Sequence, residues 1–328
     1  MNYRLACKGL LGLALAALAQ SATAQVSGLI GRLDLSQEQR NQDQSAYQAG
    51  DLAPSLFPEE DSDLGPQSVL KIKPRKDFLQ ASLDSQFQYT DNAFLQHDNR
   101  QKSGLLISTA QFELAPNPYN LGGGTYTPRI GYQSQWFDFF AFHSHSFSFS
   151  SQDFNAQTVF IDGRWHRGNW IVGGGFDYTR LLTTSSYDQL YAEYVPRWEL
   201  QRNIPISARQ TLAIAYQGYY HFTDGPAATL PENSTADRLD QVLTISYNYQ
   251  PCENVIIQPF YSFKFTHFTA EVDREDYLHS TGIAMYYFIL RNFHARAFVG
   301  YENRQSSVNA AEYHLLGVGA GLNFTLRF

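Results

Sequence analysis

The feature that most constrains this sequence is a two-residue alternation of apolar and polar side chains from Phe78 to the C-terminus. In 79–89 the odd positions hold Leu, Ala, Leu, Ser, Phe and Tyr, and the even positions hold Gln, Ser, Asp, Gln and Gln. In 316–328 the even positions are apolar, and Gly, Asn, Thr and Arg occupy the odd positions. Because successive side chains of a strand point to opposite faces, this period predicts strands with one apolar and one polar face.

Segments of this kind recur about 12 times along the chain, and we predict a strand in each. They lie near residues 77–90, 103–115, 127–138, 154–166, 169–182, 187–200, 208–222, 238–250, 254–268, 277–290, 294–303 and 314–328. Their length slightly exceeds the roughly 9–11 residues that a tilted strand needs to cross a bilayer. The fold class predicted is therefore all-β, a transmembrane antiparallel up-and-down barrel.

The connections between these segments alternate in length, as they do in membrane barrels with short periplasmic turns and longer outer loops. Short connections follow even-numbered segments at 166–169, 250–253 and 291–293. Longer connections follow odd-numbered segments at 92–102, 139–153 and 223–237. The connection 115–125, with two prolines and three consecutive glycines, is long for a periplasmic turn. An even number of strands also predicts that both mature termini are periplasmic.

Composition supports a surface that faces something other than water. Charged residues make up 17% and aromatic residues 15% of the chain, whereas soluble domains average about 25% charged residues. The mean hydropathy of −0.35 and the absence of a long apolar run exclude a polytopic helical membrane protein. The formal charge of −7 argues against nucleic acid as a partner.

The first 24 residues have the pattern of a secretory signal peptide. Arg4 and Lys8 precede an apolar run at 9–19, and Ala-Thr-Ala at 22–24 predicts cleavage before Gln25. Cleavage leaves Cys252 as the single cysteine, so no internal disulfide is predicted. We expect the mature chain beyond the inner membrane of a Gram-negative bacterium.

Residues 25–76 differ in composition from everything that follows. They are rich in Gln, Asp, Glu and Pro, with an acidic cluster at 59–63 and a basic run at 71–76. Low hydrophobicity of this kind predicts a disordered segment, here in the periplasm. A short polar helix within 36–48 is a further possibility, but its apolar face is too thin to pack alone.

A soluble β-sandwich also alternates, so the tryptophans bear on the choice between the two classes. They fall near strand ends on the apolar face, as interfacial girdle residues do. The predicted girdle comprises Trp136, Trp165, Trp170 and Trp198. A sandwich more often buries Trp in mid-strand, and its strands are shorter.

The last strand ends in alternating hydrophobic residues and a terminal Phe: Leu322, Phe324, Leu326 and Phe328. In this the region 77–328 resembles the outer-membrane β-barrel families, although Asn323 stands where a Gly is sometimes found. The resemblance implies insertion among outer-membrane lipids and recognition of these residues by the barrel-assembly machinery. The motif Thr90-Asp91-Asn92-Ala93-Phe94 is similar to that of porin-like barrels of exopolysaccharide systems.

Projection of the polar faces predicts which charged residues line the lumen. The acids are Asp84, Glu113, Asp162, Asp177, Glu193, Glu199, Asp240 and Glu302. The bases are Arg129, Arg164, Arg197, Arg209, Arg238, Lys264, Arg296 and Arg327. A pore selective for acidic polymers would carry mainly bases. The equal numbers favour mutual pairing in a narrow lumen, with a role in selectivity as the alternative.

No enzymatic site, cofactor site or metal site is predicted. A catalytic His and Ser on one strand must be two residues apart to share a face, and His-x-Ser does not occur. His279 and His143 are the histidines to test for a lipid- or peptide-cleaving barrel. His143 and His145 alone do not make a metal site, and Cys252 offers no zinc pattern.

Two hypotheses for function remain beside that enzyme. The leading one is a porin-like transport channel for small solutes or polysaccharide-related substrates, with small conductance because about twelve strands enclose a narrow lumen. The other is a non-conducting scaffold, whose segment 25–76 binds a periplasmic partner or plugs the lumen.

Overall fold

The computed structural model describes residues 28–39, 78–98, 100–140, 153–224, 236–269, 274–290 and 292–328. The predicted signal peptide 1–24, His143, His145 and most of segment 25–76 lie outside the described residues. No helix in the described ranges is long and apolar enough to span a membrane.

The described residues from 79 onward form a closed antiparallel sheet. Its strands are β1 (Leu79–Thr90), β2 (Ser103–Leu114), β3 (Tyr119–Leu121), β4 (Gly124–Phe140), β5 (Phe154–Arg167), β6 (Trp170–Thr183), β7 (Gln189–Ser207), β8 (Gln210–Asp224), β9 (Arg238–Cys252), β10 (Val255–Phe268), β11 (Glu275–Leu290), β12 (Phe293–Ser306) and β13 (Tyr313–Arg327). Each wall strand pairs with its neighbours, β2 pairs with β4, and β13 pairs with β1, so the sheet has no free edge. The predicted fold class, a barrel of about twelve strands, is confirmed.

The three-residue strand β3 lies outside the twelve-stranded wall and explains the long connection at 115–125. It pairs only with the start of β4, through Tyr119↔Tyr126 to Leu121↔Gly124. Gly122 and Gly123 have φ of +57° and +76°, and a two-residue hairpin turn of this kind needs positive φ at both positions. The wall strand therefore continues into a hairpin instead of turning at once.

The two faces of the wall differ as the alternation predicts. In β1, Leu83 and Phe87 point outward and are 59% and 44% exposed, whereas Gln86 points inward and is buried. Each pairing keeps its partners on the same side, so Gln86 faces inward with Ile107 and with Gly321. The outer surface is thus a continuous apolar belt, which is the arrangement expected in lipid.

The barrel has two distinguishable ends. At the turn end, two-residue connections join β5 to β6, β7 to β8 and β9 to β10. Phe328 also lies at the turn end, where its backbone N–H donates to the Leu79 carbonyl at 2.8 Å. At the loop end, longer connections such as 91–102 and 307–312 join the remaining strands.

Residues 28–39 form a helix, α1, inside the barrel. Its side chains contact inward-facing residues of β1, β4, β9 and β10, which lie around the circumference of the wall. This part of 25–76 departs from the disorder predicted for that segment, and the helix begins before the 36–48 considered from the sequence. A thin apolar face suffices here because the wall surrounds the helix on all sides.

Candidate functional site

The apolar face of α1 packs against one side of the lumen. Leu29 and Leu33 are 4% and 0% exposed, and Ile30 is buried beside them. The wall residues of this cluster are Leu105, Ile107, Phe137, Phe139, Phe154, Ala156, Leu181 and Tyr191. Each such aliphatic side chain contributes about 1.5–3 kcal/mol when it leaves water. Hydrophobic burial therefore contributes several kcal/mol to holding α1 in the lumen.

Arg32 anchors α1 to the connection between β1 and β2. Its Nε donates to the Ala93 carbonyl at 2.8 Å, and its Nη2 donates to the Asn92 carbonyl and to Thr90 Oγ1. Arg32 is 3% exposed. The motif at 90–94, singled out from the sequence, thus supplies the acceptors for a buried guanidinium.

Two glycines of α1 allow this close approach. A Cβ on Gly28 would lie 3.0 Å from the Phe94 carbonyl oxygen, and one on Gly31 would lie 2.5 Å from Leu95 Cδ1. A larger residue at Gly28 would press on backbone and move α1 away from the connection, whereas one at Gly31 would displace the end of the Leu95 side chain. The helix and residues 92–95 therefore fit one another closely.

The polar face of α1 meets two bases on the opposite side of the lumen. Arg238 Nη2 donates to both carboxylate oxygens of Asp34 at 3.1 Å. Lys264 Nζ lies 3.0 Å from Glu38 Oε1 and 3.7 Å from Asp34 Oδ2. Because Asp34 and Glu38 are four residues apart, they lie on the same face of the helix.

Hydrogen bonds deeper in the lumen show the direction of α1. Ser36 Oγ accepts from Gln135 Nε2 at 3.0 Å, and Gln39 Oε1 accepts from Gln86 Nε2, in the middle of β1, at 2.9 Å. Gly28 lies at the loop end, against Phe94. The helix therefore runs from the loop end towards the turn end, and residue 28 lies at the opposite end from Phe328. The predicted periplasmic location of the mature N-terminus concerns residue 25, outside the described residues.

Little space remains beside α1. A cavity of about 70 Å³ lies between the helix and the wall of β10–β13, β1 and β2, bordered by Arg32, Glu38, Ser280 and Glu302. About 10–15 Å³ of space of this kind holds one water molecule, so the cavity accommodates a few waters. The space between α1 and this side of the wall is therefore small.

A separate group of ion pairs lies on the wall of β4–β7. Arg129 Nε and Nη2 each donate to an oxygen of Asp162 at 2.8 Å, and Arg197 Nη2 donates to Asp162 Oδ2 at 2.6 Å. Asp177 accepts from Arg197 Nε at 3.0 Å, and Arg164 Nη2 lies 3.2 Å from Glu199 Oε2. We call these residues the β4–β7 network. Glu113 joins them at 3.5 Å from Arg129.

The other charged residues predicted for the lumen have different surroundings. Arg296 Nη2 donates to Asp84 at 2.9 Å, and Glu302 borders the cavity beside α1. Arg327 lies at the turn end, where its Nε donates to Gln80 at 3.3 Å. The prediction that Arg209 lines the lumen is wrong. Arg209 is exposed in the turn at 208–209 and donates to the Pro251 carbonyl, because the two-residue period does not continue through a turn.

His221 is a functional candidate that the sequence reasoning missed. It points inward from β8 and is 3% exposed. Its Nδ1 lies 2.9 Å from Glu193 Oε2, and its Nε2 lies 3.4 Å from Asp240 Oδ2. Tyr191 donates to the same Glu193 at 2.8 Å. The parity of β8 places His221 with Tyr219 on the polar face, a signal present in the sequence.

The predicted girdle and assembly residues lie on the outer surface. Trp136, Trp170 and Trp198 are 38%, 41% and 42% exposed, and Trp165 Nε1 donates to the Leu121 carbonyl at 2.8 Å. Leu322, Phe324, Leu326 and Phe328 follow the outward parity of β13, and Phe324 meets Phe293 edge-on. Their roles at a lipid interface and in assembly remain predictions.

The histidine considered for a barrel enzyme also faces outward. His279 Nδ1 lies 2.8 Å from the Tyr261 hydroxyl, and Tyr261 is 41% exposed. Neither side chain points towards the lumen. Among the described residues no group of three potential metal-binding side chains comes together.

Comparison with solved structures finds other outer-membrane barrels. A KdgM porin is 14% identical, with 73% of this chain and 97% of that chain covered and a TM-score of 0.38. The COG4313 outer membrane channel from Pseudomonas putida F1 is 10% identical, with 81% and 100% covered and a TM-score of 0.47. The translocator domain of the autotransporter NalP from Neisseria meningitidis is 9% identical, with 90% and 99% covered and a TM-score of 0.43.

Similarity this low carries no argument about what this chain transports or binds. No protein-family model and no curated protein matches the sequence.

Proposed function

We propose that this chain is a porin-like channel of the bacterial outer membrane, and that α1 is its plug. The apolar belt and the predicted signal peptide support the location. The observation that carries the proposal is α1 itself, which bridges opposite sides of the lumen through Arg32 on one side and Asp34 and Glu38 on the other. In the described state the channel is closed.

The contacts of α1 favour a plug that can leave over a permanent core element. Its polar contacts are side-chain hydrogen bonds and ion pairs, and it adds no strand to the sheet. The chain between Gln39 and Phe78 is also long. At up to about 3.3–3.6 Å per residue it can reach well beyond the barrel, so α1 can leave the lumen and stay tethered.

Planar-bilayer recording of the full-length protein tests the proposal through Arg32→Ala. The substitution leaves the buried carbonyls of Asn92 and Ala93 without their charged donor. Loss of hydrogen bonds to a charged group costs about 1.5–3 kcal/mol, so we expect the open probability to rise by at least about tenfold over rare native openings. The matched control is Arg202→Ala, on the outer surface against Trp170, which should behave like the native protein.

Thiol labelling of Gln39→Cys in a Cys252→Ser background reports the exit of α1 independently of current. If Arg32→Ala accelerates labelling and the bilayer still shows no discrete openings, the channel is refuted and the non-conducting scaffold takes its place. If neither labelling nor current changes, Arg32 does not hold the plug and the gating proposal is wrong.

A further inference from the structure

The two bases that hold the polar face of α1 have few acidic partners of their own on the wall. Arg238 Nε lies 3.4 Å from Asp240 Oδ2, and Lys264 Nζ lies 4.0 Å from the same oxygen. His221 Nε2 also lies 3.4 Å from it. One wall carboxylate therefore faces three bases, all at long distance.

The second acid nearby, Glu193, has other partners. It accepts from the Tyr191 hydroxyl at 2.8 Å and lies 2.9 Å from His221 Nδ1. The shortest contacts of Arg238 and Lys264 with an acid are those to Asp34 and Glu38, at 3.1 and 3.0 Å. These two carboxylates belong to α1 and leave with it.

The geometry points to a binding site for carboxylate-bearing solutes at Arg238 and Lys264, which α1 occupies as an internal ligand in the closed state. This inference rests on the proposed function, since the site becomes free only when α1 moves. Asp34 and Glu38 lie one helical turn apart, and side chains at that spacing are about 5–6 Å apart at Cβ. A solute with two carboxylates at similar separation can replace both contacts.

Both bases are buried, and this makes the site selective for charge. Arg238 is 3% and Lys264 is 8% exposed. A buried cation strongly favours an anionic partner over a neutral one, because the partner replaces its lost hydration. A guanidinium also suits a carboxylate, which can accept from it at both oxygens. A neutral solute of equal size offers no such replacement.

Calorimetric titration of the full-length protein with adipate tests the site, with neutral adipamide as the control ligand. In Asp34→Asn/Glu38→Gln the internal carboxylates are gone while the wall is intact. We expect adipate to bind this variant at least about tenfold more tightly than the native protein, because α1 without its two carboxylates is displaced more easily. Adipamide should bind neither the native protein nor this variant.

A second variant adds Arg238→Gln and Lys264→Gln to the first pair, and we expect adipate binding to be lost. Equal affinity for adipate in the native and first variant, no adipate binding in the first variant, or retained binding in the fourfold variant would overturn the inference. Folding of each variant is checked by the β-sheet circular dichroism spectrum and by heat-modifiable migration in detergent gels.

Labelling of Gln39→Cys in the Cys252→Ser background separates this inference from the proposed function. In the otherwise native chain, adipate should accelerate labelling and adipamide should not. Adipate binding without channel openings would retain the site and refute the channel. Openings in Arg32→Ala without any effect of adipate would retain the channel and refute the site.

Discussion

Two parts of the lumen wall differ in where the acids that pair with their buried bases come from. In the β4–β7 network every base has an acid of the wall within 3.2 Å, as with Arg129 and Asp162 at 2.8 Å and Arg164 and Glu199 at 3.2 Å. On β9 and β10, Arg238 and Lys264 find their shortest acidic contacts on α1 instead. The first arrangement is complete without the plug, and the second is complete only with it.

This difference shows how a closed barrel can combine a permanent element with a movable one. Charges paired within the wall stabilise the barrel whether or not α1 is present. Charges shared with α1 stabilise only the closed state, and removal of the helix leaves them to an incoming ligand.

The largest effect on barrel stability is expected for Asp162→Asn, and its absence would contradict this comparison. Asp162 serves both Arg129 and Arg197 and is 5% exposed. Removal of one partner from a buried pair costs about 3–5 kcal/mol, and we take the lower value because each arginine side chain is nearly a fifth exposed. The barrel should unfold at clearly lower temperature, as measured by heat-modifiable migration.

The control for that experiment is Asp177→Asn, since the Asp177 side chain is 21% exposed and serves only Arg197 among these pairs. Asp177→Asn should lower the unfolding temperature by less than Asp162→Asn does. Equal stability of Asp162→Asn and the native barrel would show that the β4–β7 network is not a stabilising element.

Asp34→Asn/Glu38→Gln should change the stability of the barrel less than Asp162→Asn does. It should mainly increase the rate at which α1 leaves the lumen. The barrel should be destabilised less than by Asp162→Asn, because the backbone hydrogen bonds between wall strands are kept and departure of α1 exposes Arg238 and Lys264 to water. Thiol labelling of Gln39→Cys should nevertheless accelerate by about tenfold or more, as expected when about 1.4 kcal/mol or more of docking energy is lost. Gln37→Asn on the same helix is the control. If Asp34→Asn/Glu38→Gln destabilises the barrel as strongly as Asp162→Asn does, the bases of β9 and β10 do not differ from the β4–β7 network in this way.

The smallest effect is expected for Arg209→Gln. This base was predicted to line the lumen, and the structure places it in a turn. Exposed substitutions of this kind usually change stability by less than about 0.5 kcal/mol. Stability, Gln39→Cys labelling and current should all match the native protein. A changed open probability would mean that the turn end takes part in closure.

Much of the lumen could be assigned from parity, and the exceptions have local causes. Asp162 on β5 and Arg197 on β7 both pair with Gly175 of the strand between them, β6, and paired positions point to the same side of the sheet. Their side chains therefore meet across a residue that has no side chain. The prediction for Arg209 was wrong because a turn interrupts the two-residue alternation of side chains. His221 was omitted because only acids and constitutive bases were projected, although its position on β8 follows the same rule as Tyr219.

The sequence by itself determined the wall: where the strands lie, which side chains meet lipid and which face inward. It could do so because the direction of a side chain along a strand is a local property of the backbone. Only the tertiary structure decided that residues 28–39 form a plug. A helix with so few apolar residues is stable where other elements cover it, and its partners, such as Arg238 for Asp34, lie 204 residues further along the chain.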